Sequence, residues 1–151
     1  MNKLLTSEQT ENYKRDGFVS PVCVLDDKEV ADYRARFEAY ESQNGGWYEL
    51  SKGQKLYLIQ TWAAELASHP KVLDAVEDIL GPDLMVWGLS LFVKDAGAPG
   101  YVSWHQDSTY WGLSKPQVAT AWIALSPASI QSGCMKMLPG SQALDQRPHQ
   151  D

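Results

Sequence analysis

His105 and Asp107 stand two residues apart in the run Trp104-His105-Gln106-Asp107-Ser108-Thr109-Tyr110-Trp111. Along an extended strand, residues i and i+2 point to the same face, so this imidazole and this carboxylate can aim at one point in space. Together they supply two donors of the 2-His-1-carboxylate triad, which holds Fe(II) by one face and leaves positions open. Those positions accept a bidentate co-substrate and then O2. A third protein ligand has to come from elsewhere in the chain. The tripeptide also admits a plainer reading, a surface strand with two polar residues facing water. Its neighbours tilt the balance: Trp104, Tyr110 and Trp111 crowd large rings around two ionisable groups, as in a shielded pocket.

The elements that must position this stretch follow from capping residues and periodicity. Thr6-Ser7-Glu8-Gln9 offers an N-cap hydroxyl and predicts a helix to Arg15 or Asp16, with Gly17 as its stop. Phe18 to Leu25 reads as a strand that Pro21 confines to an edge or bulge. Asp26-Asp27 opens a second helix whose Val30, Tyr33, Phe37 and Tyr40 form a core stripe, ended by Asn44-Gly45-Gly46. Trp47 to Gly53 is expected to be loop and Lys55 to Ile59 a short extended run. A short helix over Trp62 to Ala67 ends at Ser68-His69-Pro70, where His69 reads as a cap or surface residue rather than a metal ligand. Lys71 to Leu80 is amphipathic, with Val72, Leu73, Val76, Ile79 and Leu80 inward, and Gly81-Pro82 ends it.

Beyond Pro82 the pattern changes. Leu84 to Lys94 is an apolar run expected to be a strand buried on both faces, followed by a turn over Asp95 to Gly100. Tyr101 to Ser108 is the next expected strand, Val118 to Leu125 a third containing Trp122, and Cys134 to Leu138 a fourth stopped by Pro139-Gly140. Helices come first and strands follow, which predicts an α+β domain with a strand-rich core, a sandwich or barrel. Residues 1–80 form its mainly helical part and residues 84–151 its strands. Four strands are too few to close a barrel or complete two facing sheets. The expectation is therefore a single domain that is incomplete C-terminally, the front part of a longer protein. The tripeptide His-Gln-Asp recurs at His149-Gln150-Asp151, which reads as coincidence.

Composition bounds the partners. A chain of 151 residues with 44% hydrophobic and 21% charged residues has ordinary globular composition and suffices for one core. A net charge of −6 argues against nucleic acid, whose phosphates need clustered Lys and Arg. No apolar run reaches the length of a membrane span, and Met1 to Arg15 lacks the apolar stretch of a signal peptide. Cys23 and Cys134, without CxxC or CxxH spacing, read as reduced core thiols of a cytoplasmic protein. Six Trp and seven Tyr are many for this length and favour an interior with polar handles, such as a ligand cavity.

Several stretches, taken in order and spacing, resemble the phytanoyl-CoA dioxygenase family. They are Asp16-Gly17-Phe18-Val19 with Tyr13, Gly81-Pro82-Asp83, Phe92-Val93-Lys94, Trp104-His105-Gln106-Asp107, Ala121-Trp122-Ile123-Ala124-Leu125, and Gly133-Cys134-Met135-Lys136-Met137-Leu138-Pro139-Gly140-Ser141. The resemblance implies a double-stranded β-helix (a cupin-like jelly-roll) and dependence on Fe(II) and 2-oxoglutarate. It implies that His105 and Asp107 are two iron ligands, and that 2-oxoglutarate lies near Trp122 and the inner face of the strand containing Ser90. Gln142 stands where the family pattern often has His after Pro-Gly-Ser, a position that is not an iron ligand there. The family's distal His and its 2-oxoglutarate-binding Arg have no counterpart up to Asp151, and His149 falls on the loop after the Pro-Gly-Ser turn.

The activity so implied is hydroxylation of a small organic substrate by O2, coupled to decarboxylation of 2-oxoglutarate to succinate. Halogenases on this fold carry a small residue where Asp107 stands, so the carboxylate predicts hydroxylation. The acidic balance gives no support for a CoA phosphate site. Two other readings stay open: a non-catalytic jelly-roll that binds a metal or ligand, and an inactive truncated fragment. The distal His and Arg separate the first from an oxygenase, and cooperative unfolding tests the second. Oligomeric state is not legible in the sequence.

Overall fold

A computed structural model describes residues 2–46, 55–115, 117–144 and 146–148. Its regular elements are helices: α1 (Ser7–Asp16), α2 (Asp27–Gln43), α3 (Thr61–Ala67) and α4 (Pro70–Leu80). Short 3-10 turns occur at Leu56–Leu58, Asp107–Tyr110 and Ser141–Ala143. The helices begin where side chains satisfy the orphan N–H groups of a first turn. Thr6 Oγ1 accepts from Gln9 N at 3.1 Å while Gln9 Oε1 accepts from Thr6 N at 2.9 Å. Asp26 and Glu29 repeat this reciprocal box at the start of α2, with Asp26 Oδ1 accepting from Lys28 and Glu29. Pro70 opens α4, where a missing N–H costs nothing.

The C-terminal end of α1 is tied to the far end of the chain. Gly17 adopts φ 85°, a left-handed conformation in which its N–H closes onto Tyr13 O at 2.8 Å. The side chain of Gln142 donates to the carbonyls of Lys14 and Arg15 at 3.0 and 3.1 Å, and Gly140 N donates to Asp16 O at 2.9 Å. A Cβ on residue 17 would meet Gln142 Oε1 at 2.5 Å, so both backbone conformation and space call for glycine.

Tyr33, Leu56, Trp62, Ala63 and Leu66 form the buried cluster, drawn from α2, the Leu56–Leu58 turn and α3. Phe37 and Tyr40 present ring edges to Trp62, with centroids 6.1 and 6.5 Å away. Leu89 with Leu91, and Ile123 with Leu125, pack against the same cluster. Each pair is two residues apart, the side-chain alternation of an extended chain. Arg36 joins α2 to α3 by donating to Glu65 Oε2 at 2.7 Å while also bonding Asp32 at 3.0 Å.

The helical part of the expected α+β domain is therefore present, with α1, α2, α3 and α4 within a residue of the expected bounds at either end. The strands differ. Residues 18–25, 84–94, 101–108, 118–125 and 134–138 pair into no ladder among the described residues; one isolated parallel bridge joins Lys55 to Leu89. A helix satisfies its backbone within its own segment, whereas a strand needs N–H and C=O partners on another. The run 84–94 is not buried on both faces either, since Met85 is 84% and Phe92 71% exposed. Lys55 to Ile59 is not extended but folds into the Leu56–Leu58 turn, which places Leu56 in the core. Leu80, expected inward, is exposed at the end of α4. Cys23 is exposed and Cys134 half-buried, so neither is a core thiol, and both are free. The expected loop over 47–53 lies outside the described residues.

The N-terminal segment is held by one carboxylate. Asp78 on α4 accepts from the backbone N–H groups of Lys3, Leu4 and Leu5 at 2.7, 2.8 and 2.8 Å, which brings Leu5 to a buried position. Burial pushes the Asp78 carboxyl up, but the three N–H donors, with Lys3, outweigh it and hold it below its ordinary 3.8. A carboxylate with a depressed folded-state value contributes stability above its unfolded value, and the contribution is lost as pH falls through the folded one. Asp78→Ala is therefore expected to lower stability at pH 7 by roughly 1–2 kcal/mol, the range for a few partly hydrated charge-assisted bonds. The gap from the unsubstituted protein should close as pH drops below 3.8. Urea unfolding at a series of pH values checks both parts; a gap independent of pH would show that the charge is not what holds the segment.

Candidate metal site

Gln106 has extended backbone, φ −113° and ψ 121°, and the chain then turns at Asp107, the first residue of the 3-10 turn Asp107–Tyr110. The strand geometry expected for His105 and Asp107 is thus interrupted at the second residue. The two side chains still meet: His105 Nε2 lies 3.2 Å from Asp107 Oδ1.

The partners of the other atoms define what this contact is. His105 Nδ1 lies 2.8 Å from the carbonyl oxygen of Ser103. A carbonyl only accepts, so Nδ1 carries hydrogen and donates. In the neutral ring Nε2 then presents a lone pair, and that lone pair faces a carboxylate oxygen. Two acceptors at this separation require a positive centre, either a proton on Nε2 or a cation bound by both atoms. Two donors each about 2.1 Å from one ion at a right angle stand about 3 Å apart, close to the distance found. A metal-binding imidazole fixed through its other nitrogen is the usual outer-shell arrangement.

Asp107 is oriented in the same way. Thr120 Oγ1 donates to Oδ2 at 2.6 Å, which leaves Oδ1 on the imidazole side for a single donor bond. Thr120 was not legible as a site residue; a lone hydroxyl distant in sequence leaves no motif. Tyr110 sets its ring edgewise to His105, centroids 5.8 Å apart. The expected aromatic shield is otherwise open: Trp104 is 65% and Tyr110 62% exposed. Trp111 is half-buried.

The other expected site residues are placed less fully. Ser90 is exposed, and so is Trp122. Ile123 and Leu125 face the helical core, while Thr120, two residues before Trp122, reaches Asp107. In extended chain Thr120 and Trp122 occupy the same register face. Ser90 falls between the core-facing Leu89 and Leu91 in the same sense. Among the described residues no group of three or more His, Cys, Asp and Glu converges. His149 lies outside the described residues. His69, expected to be a cap or surface residue, stands at the N-cap position of α4 without a side-chain cap bond, and its half-buried ring sets Nε2 3.3 Å from Glu29 Oε1 on α2.

Comparison with known proteins bears on this pair of donors. Residues 13–151 match the phytanoyl-CoA dioxygenase (PhyH) family. The ectoine dioxygenase of Streptomyces avermitilis is 27% identical, over 91% of this chain and 52% of that protein. The human peroxisomal phytanoyl-CoA dioxygenase is 23% identical, over 98% of this chain and 51% of its own length, and the mouse protein of that name is 26% identical over the same shares. The chain spans about half the length of the curated relatives it matches. No solved structure matches it. Among the described residues no helix is long and apolar enough to cross a membrane.

Proposed function

The chain belongs to the phytanoyl-CoA dioxygenase family, and from that premise we propose that it carries two iron ligands, His105 and Asp107, of a 2-oxoglutarate-dependent oxygenase that hydroxylates a small organic substrate. One observation carries the reading: His105 Nε2 lies 3.2 Å from Asp107 Oδ1 while Nδ1 and Oδ2 are each engaged elsewhere. Both side chains are thus pre-set to share one cation. A bound Fe(II) with 2-oxoglutarate would supply the activation of O2. The chain's own residues orient that centre. Ser103 O fixes the imidazole tautomer, Thr120 fixes the carboxylate rotation, and Tyr110 limits how far the ring can swing.

The segments containing Ser90 and Trp122 are proposed as jelly-roll strands whose outer register backs onto the helices. The alternation of Leu89 with Leu91 and of Ile123 with Leu125 against the helical core supports this. Ser90 and Trp122 would then flank the co-substrate. The net charge of −6 favours a small solute over a phosphate-rich thioester, and the name of the ectoine dioxygenase points the same way.

Anaerobic titration of the full gene product with Fe(II), then 2-oxoglutarate, tests the proposal. Saturable binding of one iron is expected, followed by a new absorption that neither addition gives alone, and succinate release on admitting O2. Iron and 2-oxoglutarate binding without succinate would favour a non-catalytic binding protein. Absence of iron binding would overturn the metal reading altogether.

A further inference from the structure

The turn that carries Asp107 is grasped from a distant part of the chain. Gln146 spans two successive hydroxyls of that turn: its Oε1 accepts from Ser108 Oγ at 3.4 Å, and its Nε2 donates to Thr109 Oγ1. Next to it, Arg147 N donates to Gln106 Oε1 at 2.8 Å. The three residues gripped, Gln106, Ser108 and Thr109, flank Asp107 on both sides. A 3-10 turn of four residues is a weak element, with poor internal hydrogen-bond geometry. Its internal closure includes Thr109 N to Gln106 O at 3.1 Å. The backbone at residue 106 sets the distance from His105 to Asp107, so whatever fixes the turn fixes the donor pair.

We infer that Gln146 is a positioning residue for the metal site: its carboxamide clamps the Asp107–Tyr110 turn through the Ser108 and Thr109 hydroxyls and so holds Asp107 Oδ1 against His105 Nε2. The inference rests on the metal reading for its function, but the clamp itself can be read without metal. The hydrogen bonds of Gln146 go to Ser108 and Thr109 and not to either proposed ligand among the described residues, so its effect passes through the turn.

Two measurements on the full gene product decide it. The first is hydrogen exchange of the Thr109 amide in metal-free protein, which should quicken severalfold in Gln146→Ala while exchange within α2 stays unchanged. The second is Co(II) titration, followed by its visible absorption, in which Gln146→Ala should weaken affinity about tenfold, the scale of outer-shell losses. Ser108→Ala/Thr109→Ala should weaken it similarly, and adding Gln146→Ala to that pair should cost little more, because both act through one contact. Unchanged Thr109 exchange, or additive losses, would overturn the inference. If the unsubstituted protein binds no Co(II), the metal reading falls, and the Thr109 amide still decides whether Gln146 holds the turn.

Discussion

His105→Ala, and equally Asp107→Ala, is expected to abolish Fe(II) binding and turnover in the full gene product. Each substitution removes one donor of a pair set 3.2 Å apart. Loss of an outer-shell partner already weakens metal affinity by roughly 10–100-fold, so loss of a donor is expected to exceed about 100-fold. The consequence for folding is expected to be small. The two side chains are 32% and 43% exposed, and substitutions at such surface positions usually change stability by about 0.5 kcal/mol or less. Loss of binding with unchanged urea unfolding is thus the signature of a ligand. Asp107→Asn refines the test, because it keeps an oxygen and a contact for Thr120 but removes the charge that offsets the cation. It should bind weakly rather than not at all. Retained turnover in either Ala variant would sink the ligand assignment.

The parts of this molecule that were legible in the sequence are those whose causes are local. Thr6 with Gln9, and Asp26 with Glu29, sit three residues apart because a helix start needs both side chains there, and both boxes form. Gly17 and Gly81 stop helices as their position suggested. The pair His105 and Asp107 was found through its spacing, yet the geometry behind that spacing differs. A strand would hold both on one face, whereas the chain turns at Asp107 and the contact is kept by Ser103, Thr120 and Tyr110. Thr120 and Gln146 reach the turn from other segments, and nothing in their local sequence announces that. Strand pairing was out of reach for the same reason: apolar runs such as 84–94 fix a propensity but not a partner, and a ladder is a property of two segments. Side-chain alternation, which needs no partner, did come through at Leu89 and Leu91.

Trp62→Ala is expected to destabilise the protein by about 3–5 kcal/mol, the range for deleting a large buried aromatic. Trp62 is 4% exposed, meets the ring edges of Phe37 and Tyr40, and shares its cluster with the fully buried Ala63. Against a typical total of about 5–15 kcal/mol, that loss is a large fraction of the whole. The effect should also travel. Leu89, Leu91, Ile123 and Leu125 lean on this cluster, and the segment of Ile123 carries Thr120, which orients Asp107. A cavity at Trp62 removes the backing of that segment, so metal affinity should fall although Trp62 belongs to the helical core and not to the proposed metal site. Trp62→Phe separates the two contributions. It retains an aromatic body and deletes an indole N–H that is buried without a partner, so it should cost well under half as much and leave the metal affinity close to normal. Urea unfolding and Co(II) titration of both variants provide the check. If Trp62→Ala lost stability but kept full metal affinity, the helical core would hold the fold without setting the site, and the register of the 118–125 segment would have to be fixed from its other side.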